Sequence, residues 1–323
     1  MEWINELTLS GGDVSASDRA QGSIFFVGNA TVILRYAGFT ILTDPNFLHR
    51  GDHVHLGHGM TAARRTDPAL ELEALPPIDF VLLSHMHEDH FDREVERKLD
   101  RGLPIVTTPH AAADLTSKGF RAAKALNTWE PLTVTKGNAR VRVRAMPGAH
   151  AAGAVARMMP PVMGSLLEFE NPRGEVAFRM YITGDTVVID ELKEIPRRFP
   201  DIDLALLHLG GTMFFGLLMV TMDPKQGVEV IRLVKPKTAI PIHYDDYTAF
   251  EFALGDTSHP PADPPDWWQR TKITSFEEFI NHGEGGCARH CGAYLAPGRD
   301  VHFRGPREPP LSKLHAVLAH RHA

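Results

Sequence analysis

Four side chains that commonly bind metal ions lie within six positions of the segment VLLSHMHEDHFD, at residues 81–92. They are His85, His87, Asp89 and His90. The first two histidines are two residues apart and therefore project to the same side of an extended chain. The chain must curl for the side chains of the aspartate and the third histidine to point to the same region. Such a curl points two pairs of ligands at two neighbouring positions, which favours a metal centre over the start of a solvated helix.

Further aspartates and histidines each follow an apolar stretch that is typical of a strand. Asp44 follows TILT, His150 follows VRAMPG, Asp185 follows MYITG and His243 follows AIPI. Taken singly, each histidine would be explained by a hydrogen-bonded core or loop residue, and each aspartate by a turn. In layered sheet folds, however, sites are built at strand ends and their loops. With the run at 85–90, five separate segments end in a ligand type, which chance rarely produces.

The chemistry of this set is that of a dinuclear hydrolytic centre. Imidazole nitrogens with carboxylate oxygens suit zinc, which is the first expectation for two divalent ions, with manganese or iron as alternatives. Seven ligands fill two sites and leave room for a water between them. Two such ions lower the pKa of that water, so we expect a metal-bridging hydroxide that attacks a carbonyl carbon or a phosphorus. Asp89 is the candidate that orients this nucleophile and relays its proton.

His208 is a second candidate catalytic residue, in the apolar stretch IDLALLHLGG. Two interpretations stay open for it. Its imidazole is either a buried, hydrogen-bonded core group, or it faces the metal ions as a proton donor or substrate contact.

The elements that must position these side chains follow from the apolar pattern. SIFFVGNATVILRYAGFTILT predicts three antiparallel strands at 23–27, 31–36 and 39–43, joined by tight turns at Gly28-Asn29 and Ala37-Gly38. A loop is predicted from 46 to about 74, and IDFVLLS at 78–84 predicts a strand buried on both faces. Helices are expected after the capping residues Asp92 and Asp223. Strand meanders alternate with strand–helix units, which indicates two mixed sheets packed face to face with helices outside.

The motifs SHMHEDHFD, LTDP, PGAH, ITGDT and PIHY together, in their order along the chain, resemble the metallo-β-lactamase superfamily. The resemblance runs from about Ser23 to Tyr244. It implies an α/β fold, the four-layer αββα sandwich, with a dinuclear centre at one edge. Carried over position by position, it implies a first metal on His85, His87 and His150. It implies a second metal on Asp89, His90 and His243, with Asp185 bridging the two and Asp44 orienting a ligand histidine.

Within the superfamily, ILTDP and GDT look most like the branch of ascorbate-phosphate lactonase and N-acyl-phosphatidylethanolamine phospholipase D. Relatives in that branch often carry a proline in the strand after the bridging aspartate. This chain has LLHLGG there, so His208 is a departure from the pattern.

Composition restricts the function further. The 323 residues are 43% hydrophobic and carry 40 Asp and Glu against 34 Lys and Arg, a net charge of -6. A protein that binds nucleic acid usually has a basic excess, so we expect a small-molecule substrate and no nucleic acid. With the branch resemblance, the acidic charge favours a small ester, lactone or phosphodiester, with an apolar or lipid-like one as a candidate. The apolar stretch at 210–222 is too short for a transmembrane segment, and MEWINELTLS is unlike a secretory signal. With 2 cysteines, a cytoplasmic location is expected. The oligomeric state stays open.

Three units are expected: an N-terminal segment at 1–22, a catalytic domain at 23–303 and a C-terminal tail at 304–323. Two other function classes stay open, an iron-dependent redox protein on the same ligands and a non-catalytic protein stabilised by metal. Two other histidine-bearing segments contain residue types that can bind metal. We interpret the loop with His49, His53, His55 and His58 as solvated or rimming a pocket, and Cys287, His290 and Cys291 as a structural thiol segment.

Overall fold

Two seven-stranded mixed sheets make up the fold in the computed structural model, which describes residues 5–56, 60–151, 153, 156, 159–214, 218–244, 247, 251–252, 298 and 300–304. The strands are β1 Glu6–Leu9, β2 Gln21–Gly28, β3 Thr31–Tyr36, β4 Phe39–Thr43, β5 His53–His55, β6 Met60–Ala63, β7 Phe80–Leu82, β8 Ile105–Thr107, β9 Ala123–Ala125, β10 Pro131–Lys136, β11 Ala139–Met146, β12 Gly164–Glu170, β13 Val176–Ile182, β14 Leu204–His208, β15 Met213–Phe214, β16 Leu218–Met219, β17 Thr238–Ile242, β18 Glu251–Phe252 and β19 Asp300–Arg304. The helices are α1 Ala16–Ala20, α2 Arg93–Lys98, α3 Pro109–Ser117, α4 Ile195–Arg198 and α5 Pro224–Val234, with 3-10 turns at Leu72–Ala74 and Asp190–Glu194.

Each large sheet has an antiparallel half and a parallel half. Sheet I has the order β1-β10-β11-β12-β13-β14-β17, and sheet II has the order β19-β2-β3-β4-β7-β8-β9. In sheet I the pairs from β10 to β13 are antiparallel, and β13, β14 and β17 are parallel. In sheet II the pairs from β19 to β4 are antiparallel, and β4, β7, β8 and β9 are parallel. The carboxyl ends of the parallel strands therefore meet at one edge of each sheet.

Three apolar clusters separate four layers. The central cluster lies between the sheets and joins Phe26 and Leu34 of sheet II to Val141 and Leu167 of sheet I. A second cluster packs the outer face of sheet I against α5, and a third packs the outer face of sheet II against α2 and α3. The predicted αββα sandwich of two mixed sheets with outer helices is thus confirmed.

The local predictions around these layers are mostly confirmed. β3 and β4 have the predicted bounds, and the carboxylates of Asp92 and Asp223 accept hydrogen bonds from main-chain N–H groups in the first turns of α2 and α5. The predicted loop at 46–74 was wrong in part, because β5 and β6 pair there and β18 joins them. Val54 is fully buried between two exposed histidines, so the strand alternation is present but rests on a single apolar residue.

β1 and β19 are edge strands of the two large sheets. β1 runs parallel to β10, and β19 pairs with β2, so residues before 23 and up to 304 are hydrogen-bonded into the sandwich. The domain bounds at 22/23 and 303/304 stay a prediction. His58, Cys287, His290 and Cys291 lie outside the described residues. None of the helices in the described part of the chain has the length and apolar character needed to cross a bilayer.

Candidate metal centre

All of the predicted site residues lie at the edge where the strand ends of the two sheets meet. Asp44 follows β4, the run at 85–90 follows β7, His150 follows β11, Asp185 follows β13, His208 ends β14 and His243 follows β17. At this edge the sheets are linked directly, because the Met163 N–H donates to the Ser84 carbonyl at 2.9 Å. The strand order therefore brings together side chains that are up to 199 residues apart, from position 44 to position 243.

One cluster consists of His85, His87 and His150, here called the three-histidine group. One ligand atom from each histidine lies within 4.8 Å of the others. His85 Nε2 and His87 Nδ1 are 2.9 Å apart, and the ring centroids of His85 and His150 are 4.5 Å apart. His85 and His150 are buried, and His87 is half-buried. Three convergent imidazoles match the ligand set of a single divalent metal ion.

A second cluster, here called the mixed group, consists of Asp89, His90, Asp185 and His243. His90 Nε2 lies 3.3 Å from Asp185 Oδ2 and 3.6 Å from Asp89 Oδ2. His243 Nε2 lies 3.4 Å from Asp89 Oδ2 and 3.6 Å from Asp185 Oδ2. All four residues are buried. Two carboxylates and two imidazoles thus face one another at the distances that a shared metal ion requires.

The Asp44 carboxylate lies behind His90 rather than among the ligands. Its Oδ1 accepts hydrogen bonds from the Ser84 N–H and hydroxyl, both at 2.8 Å, and lies 3.3 Å from His90 Nδ1. His90 can therefore donate from Nδ1 to Asp44 and turn Nε2 toward the mixed group. A carboxylate that fixes the tautomer of a metal-binding histidine in this way is common in metal centres.

His208 is fully buried on the other side of Asp44. Its Nε2 lies 3.6 Å from Asp44 Oδ2, and its Nδ1 lies 3.2 Å from the Thr183 hydroxyl. Asp44, His90 and His208 thus form a third compact group of possible ligands. His208 is hydrogen-bonded through Nδ1, but its buried Nε2 has no hydrogen-bond partner among the described residues, so both interpretations of His208 stay open.

The two groups of ligands have opposite electrostatics. Burial lowers the pKa of His85 well below its usual value, and the neighbouring imidazoles add to this effect. Burial and His150 lower the pKa of His87 to about 3. Burial likewise lowers the pKa of His150, and the opposing effect of Asp185 is smaller. The three-histidine group is therefore neutral at pH 7, with lone pairs available to a metal.

In the mixed group, the carboxylates reverse the effect of burial. Burial acts to lower the pKa of His90, but Asp185, Asp89 and Asp44 together raise it well above its usual value. The pKa of His243 is raised by Asp185 and Asp89 against the same effect of burial. Burial acts to raise the pKa of Asp185, and His243 and His90 outweigh it and lower that pKa well below its usual value. Without metal, imidazolium and carboxylate therefore neutralise each other here.

The unpaired atoms of the site fit a pair of metal ions. His150 donates from Nδ1 to the Val220 carbonyl at 2.9 Å, and its buried Nε2 has no hydrogen-bond partner among the described residues. Three further buried ligand atoms likewise have no partner within that part of the chain; they are Asp89 Oδ1, His90 Nε2 and Asp185 Oδ1. Buried polar atoms without partners are costly, and so many in one place indicate that a ligand completes them. Nitrogen and carboxylate donors suit zinc, iron and manganese.

Sequence reasoning missed the groups that hold the ligands in place. The Ser84 hydroxyl contacts both Asp44 and His85, and the Thr221 hydroxyl donates to Asp185 Oδ2 at 3.2 Å. Two glycines leave room for the site. A side chain at Gly184, which has a φ of 63°, would meet Ser84, and one at Gly210 would come within 2.9 Å of His243 Nδ1. Only Ser84 carried a signal, since it directly precedes the histidine run.

The described part of the histidine-bearing segment, residues 46–56, contacts the ligand run through Glu88. His55 Nδ1 is 3.0 Å from Glu88 and His49 Nε2 is 3.0 Å from Glu71, and both histidines are exposed. His53 is exposed as well. These exposed pairs fit a solvated loop that is tied to residue 88, between the ligands at 87 and 89.

The chain is similar in sequence and in fold to known proteins. A family model described as a beta-lactamase superfamily domain matches residues 40–244. A protein of Anaeromyxobacter sp. (strain K), named a metal-dependent hydrolase, is 26% identical over 240 residues, which cover 72% of this chain and 77% of that protein. The N-acyl-phosphatidylethanolamine-hydrolyzing phospholipase D 1 of Caenorhabditis elegans is 25% identical over 260 residues, covering 76% and 70%. The crystal structure of isothiocyanate hydrolase from Delia radicum gut bacteria has a similar fold, with a TM-score of 0.66 and 18% identity over 87% of this chain and 99% of that one.

Proposed function

The chain belongs to the beta-lactamase superfamily, and from this premise we propose that it is a dinuclear metal-dependent hydrolase of a small ester, lactone or phosphodiester. The resemblance predicted from its motifs is confirmed by the family match over 40–244. The observation that carries the proposal is the adjacency of the three-histidine group and the mixed group at one edge of the sandwich.

The relatives support the hydrolase class and suggest which bond to test first. The bacterial relative is named a metal-dependent hydrolase, and the nematode relative is named for hydrolysis of a phospholipid phosphodiester. The net charge of -6 fits a small substrate better than a nucleic acid. A phosphodiester is therefore the first substrate class to screen, followed by esters and lactones.

The ligand assignment follows the geometry of the two groups. His85, His87 and His150 would hold one metal ion, and Asp89, His90 and His243 the other. The Oδ2 atom of Asp185 faces both histidines of the mixed group, and the family resemblance implies that the same carboxylate would also serve the first metal ion. When bound, two divalent ions lower the pKa of a water between them and stabilise charge on the attacked group.

The chain's own residues supply orientation and proton transfer. Asp89 Oδ1 is buried and unpaired, so it is the group placed to accept a proton from the attacking water and pass it to the leaving atom. Its other oxygen faces the two histidines of the mixed group. Asp44 keeps His90 in the tautomer that presents Nε2. His208 remains a candidate proton donor, although its contacts to Asp44 and Thr183 point to orientation of Asp44.

The test is to measure bound metal in protein purified without added metal, for wild type and Asp185→Ala, after reconstitution with zinc, manganese or iron. Both proteins are then assayed with chromogenic phosphodiesters, esters and lactones. Asp203→Ala is the matched control, since Asp203 is a half-buried carboxylate next to the opposite end of β14.

We expect about two metal ions per wild-type chain and hydrolysis of one substrate class. Asp185→Ala should lose bound metal and hydrolysis, and Asp203→Ala should keep bound metal and hydrolysis. Wild type that takes up almost no metal under any condition contradicts the proposal. Full occupancy by iron without hydrolysis would instead favour redox chemistry, and full occupancy by every metal without any activity would favour a non-catalytic protein.

A further inference from the structure

Asn29 lies in the tight turn between β2 and β3, far in sequence from every ligand of the mixed group. The residue is 2% exposed and has a φ of 53°, in the left-handed region. Asparagine is one of the few residues other than glycine that adopts this conformation readily. A buried asparagine in a hairpin turn would ordinarily direct its amide at its own backbone. Here the amide points elsewhere.

Asn29 makes one hydrogen bond to each of two ligand segments. Its side-chain Nδ2 donates to the main-chain carbonyl of Asp89 at 2.7 Å. Its main-chain carbonyl accepts from the N–H of His243 at 2.9 Å. Asp89 and His243 are 154 residues apart in sequence, and their side chains meet at 3.4 Å in the mixed group. Asn29 is therefore a direct link between the backbones of two ligands from different sheets.

The bond to His243 also supports an unusual backbone conformation. His243 has a φ of 60°, so it too is in the left-handed region. A residue with a side chain usually needs support from its surroundings to hold this conformation, and such residues concentrate at functional sites. The Asn29 carbonyl fixes the position of the His243 N–H and thereby the direction in which the imidazole leaves the chain. The adjacent space at Gly210 accommodates the ring.

The same turn also holds Asp44. The Thr31 hydroxyl donates to the Asp44 carbonyl at 2.7 Å and accepts from the Asn46 N–H at 2.9 Å. Among the described residues, the side chains of the three-histidine group form hydrogen bonds with each other, with Ser84 and with Val220, and the His87 carbonyl accepts from the His90 and Phe91 N–H groups. The hydrogen bonds of the turn at 28–31 reach the backbone of the mixed group and of its orienting carboxylate, and none of those described reaches the three-histidine group.

We propose that Asn29 is a positioning residue that holds Asp89 and His243 as a pair and thereby sets the affinity of the mixed group for its metal ion, independently of the three-histidine group. This inference rests on the proposed dinuclear function. A residue of a turn would thereby set the relative affinity of the two groups for metal ions. Such a balance decides whether the protein holds one ion or two at a given metal concentration.

The test compares stepwise metal affinity in wild type, Asn29→Gly and Asn29→Asp. Glycine keeps the left-handed backbone and the carbonyl bonded to His243, and removes only the donor to Asp89. Aspartate keeps the size and the tolerance of positive φ, and replaces the donor by an acceptor. Zinc affinity for each of the two equivalents is measured by competition with chelators, and the unfolding temperature of the metal-free proteins is recorded alongside. Ala37→Gly, which changes the matching left-handed position in the next hairpin, is the control.

We expect both Asn29 variants to bind about 10- to 100-fold more weakly the equivalent that His243→Ala abolishes, as is typical when a partner of a metal ligand is removed. The other equivalent and the control should be unchanged. Equal weakening of both equivalents would overturn the inference, since it would indicate general loosening. Unchanged affinity for both equivalents would overturn it as well. If the wild-type protein binds fewer than two ions, both this inference and the proposed function are overturned. If the wild-type protein binds two ions and the metal affinities of the Asn29 variants are unchanged, only the inference is overturned. If Asn29→Gly does not fold, Asn29→Asp decides.

Discussion

The three-histidine group and the mixed group share one edge of the sandwich and one histidine-rich run, yet they differ in charge. The first has no carboxylate and the second has two. Burial therefore outweighs the more distant carboxylates at His85, His87 and His150, and their pKa values fall. In the mixed group the carboxylates outweigh burial and raise the pKa of His90 and His243. Neighbouring residues of one motif thus become two chemically distinct sites.

The groups also differ in how they are held. Two of the three histidines come from one short segment, and the third is oriented by the Val220 carbonyl. The mixed group draws its members from the ends of β7, β13 and β17, in different sheets, and depends on contacts from Asp44, Thr221 and Asn29. A site assembled from distant segments depends on more supporting contacts. We expect the mixed group to be the more sensitive to substitution and to pH.

The largest expected effect comes from removing one ligand of each group. His87→Ala and His243→Ala should each lose one equivalent of metal and lower kcat/KM by about 10³-fold, since a metal ion contributes several kcal/mol to the transition state. Metal analysis and kinetics on the same preparations check this. If either variant lost both ions, the two groups would form one cooperative site, and the comparison between them would fail.

The next effect is the pH dependence of metal binding. At about pH 5.5 the imidazoles of the mixed group still carry protons, which a metal ion must displace when it binds. This pH is also below the pKa expected for a metal-bound water. The three-histidine group binds fewer protons there, since the pKa of His85 is well below its usual value and the pKa of His87 is about 3. Affinity of the mixed group should therefore rise with pH until the raised pKa values are passed, and the other group should vary little. Calorimetry in buffers of different ionisation enthalpy measures the protons released per equivalent. Equal release by both equivalents would contradict the assignment.

A smaller effect is expected from Asp44→Asn. The variant keeps the size of the side chain but removes the charge next to His90 Nδ1. Affinity for the ion in the mixed group should fall about 10- to 100-fold, with the three-histidine group unchanged. Chelator competition resolves the two equivalents, and Asp203→Asn is the control carboxylate. A loss confined to the three-histidine group would show that the Asp44 carboxylate acts through Ser84 and His85 rather than through His90.

The smallest effect is expected from His208→Gln. Because His208 is buried against Asp44 and Thr183, we expect kcat to fall less than about tenfold, with the shape of the pH–rate profile unchanged. Kinetics from pH 5 to 10 on fully loaded protein measures this. A fall of about 10²-fold or more, with the loss of the alkaline limb, would establish His208 as the proton donor instead.

Much of the fold was predictable because local rules and tertiary structure agree there. The alternation and turn residues from 23 to 43 gave the bounds of β3 and β4, and the capping carboxylates of Asp92 and Asp223 gave the starts of α2 and α5. The strands β5 and β6 were missed because their apolar pattern is too short to distinguish from a loop. Asn29 and Thr221 were missed because a polar residue in a turn has the same local pattern whether or not it contacts a ligand.

The sequence by itself determined which side chains are available as ligands, since their types, spacing and position after strands are local properties. Only the tertiary structure decided the direction in which the pKa of each ligand is shifted. His87 and His90 are three residues apart and equally ordinary in sequence, yet their pKa values move in opposite directions. The reason is that the fold brings the carboxylates of Asp44 and Asp185 to within 3.3 Å of His90. Electrostatic interactions depend on distance in space and on burial, and the spacing of residues in a motif determines neither.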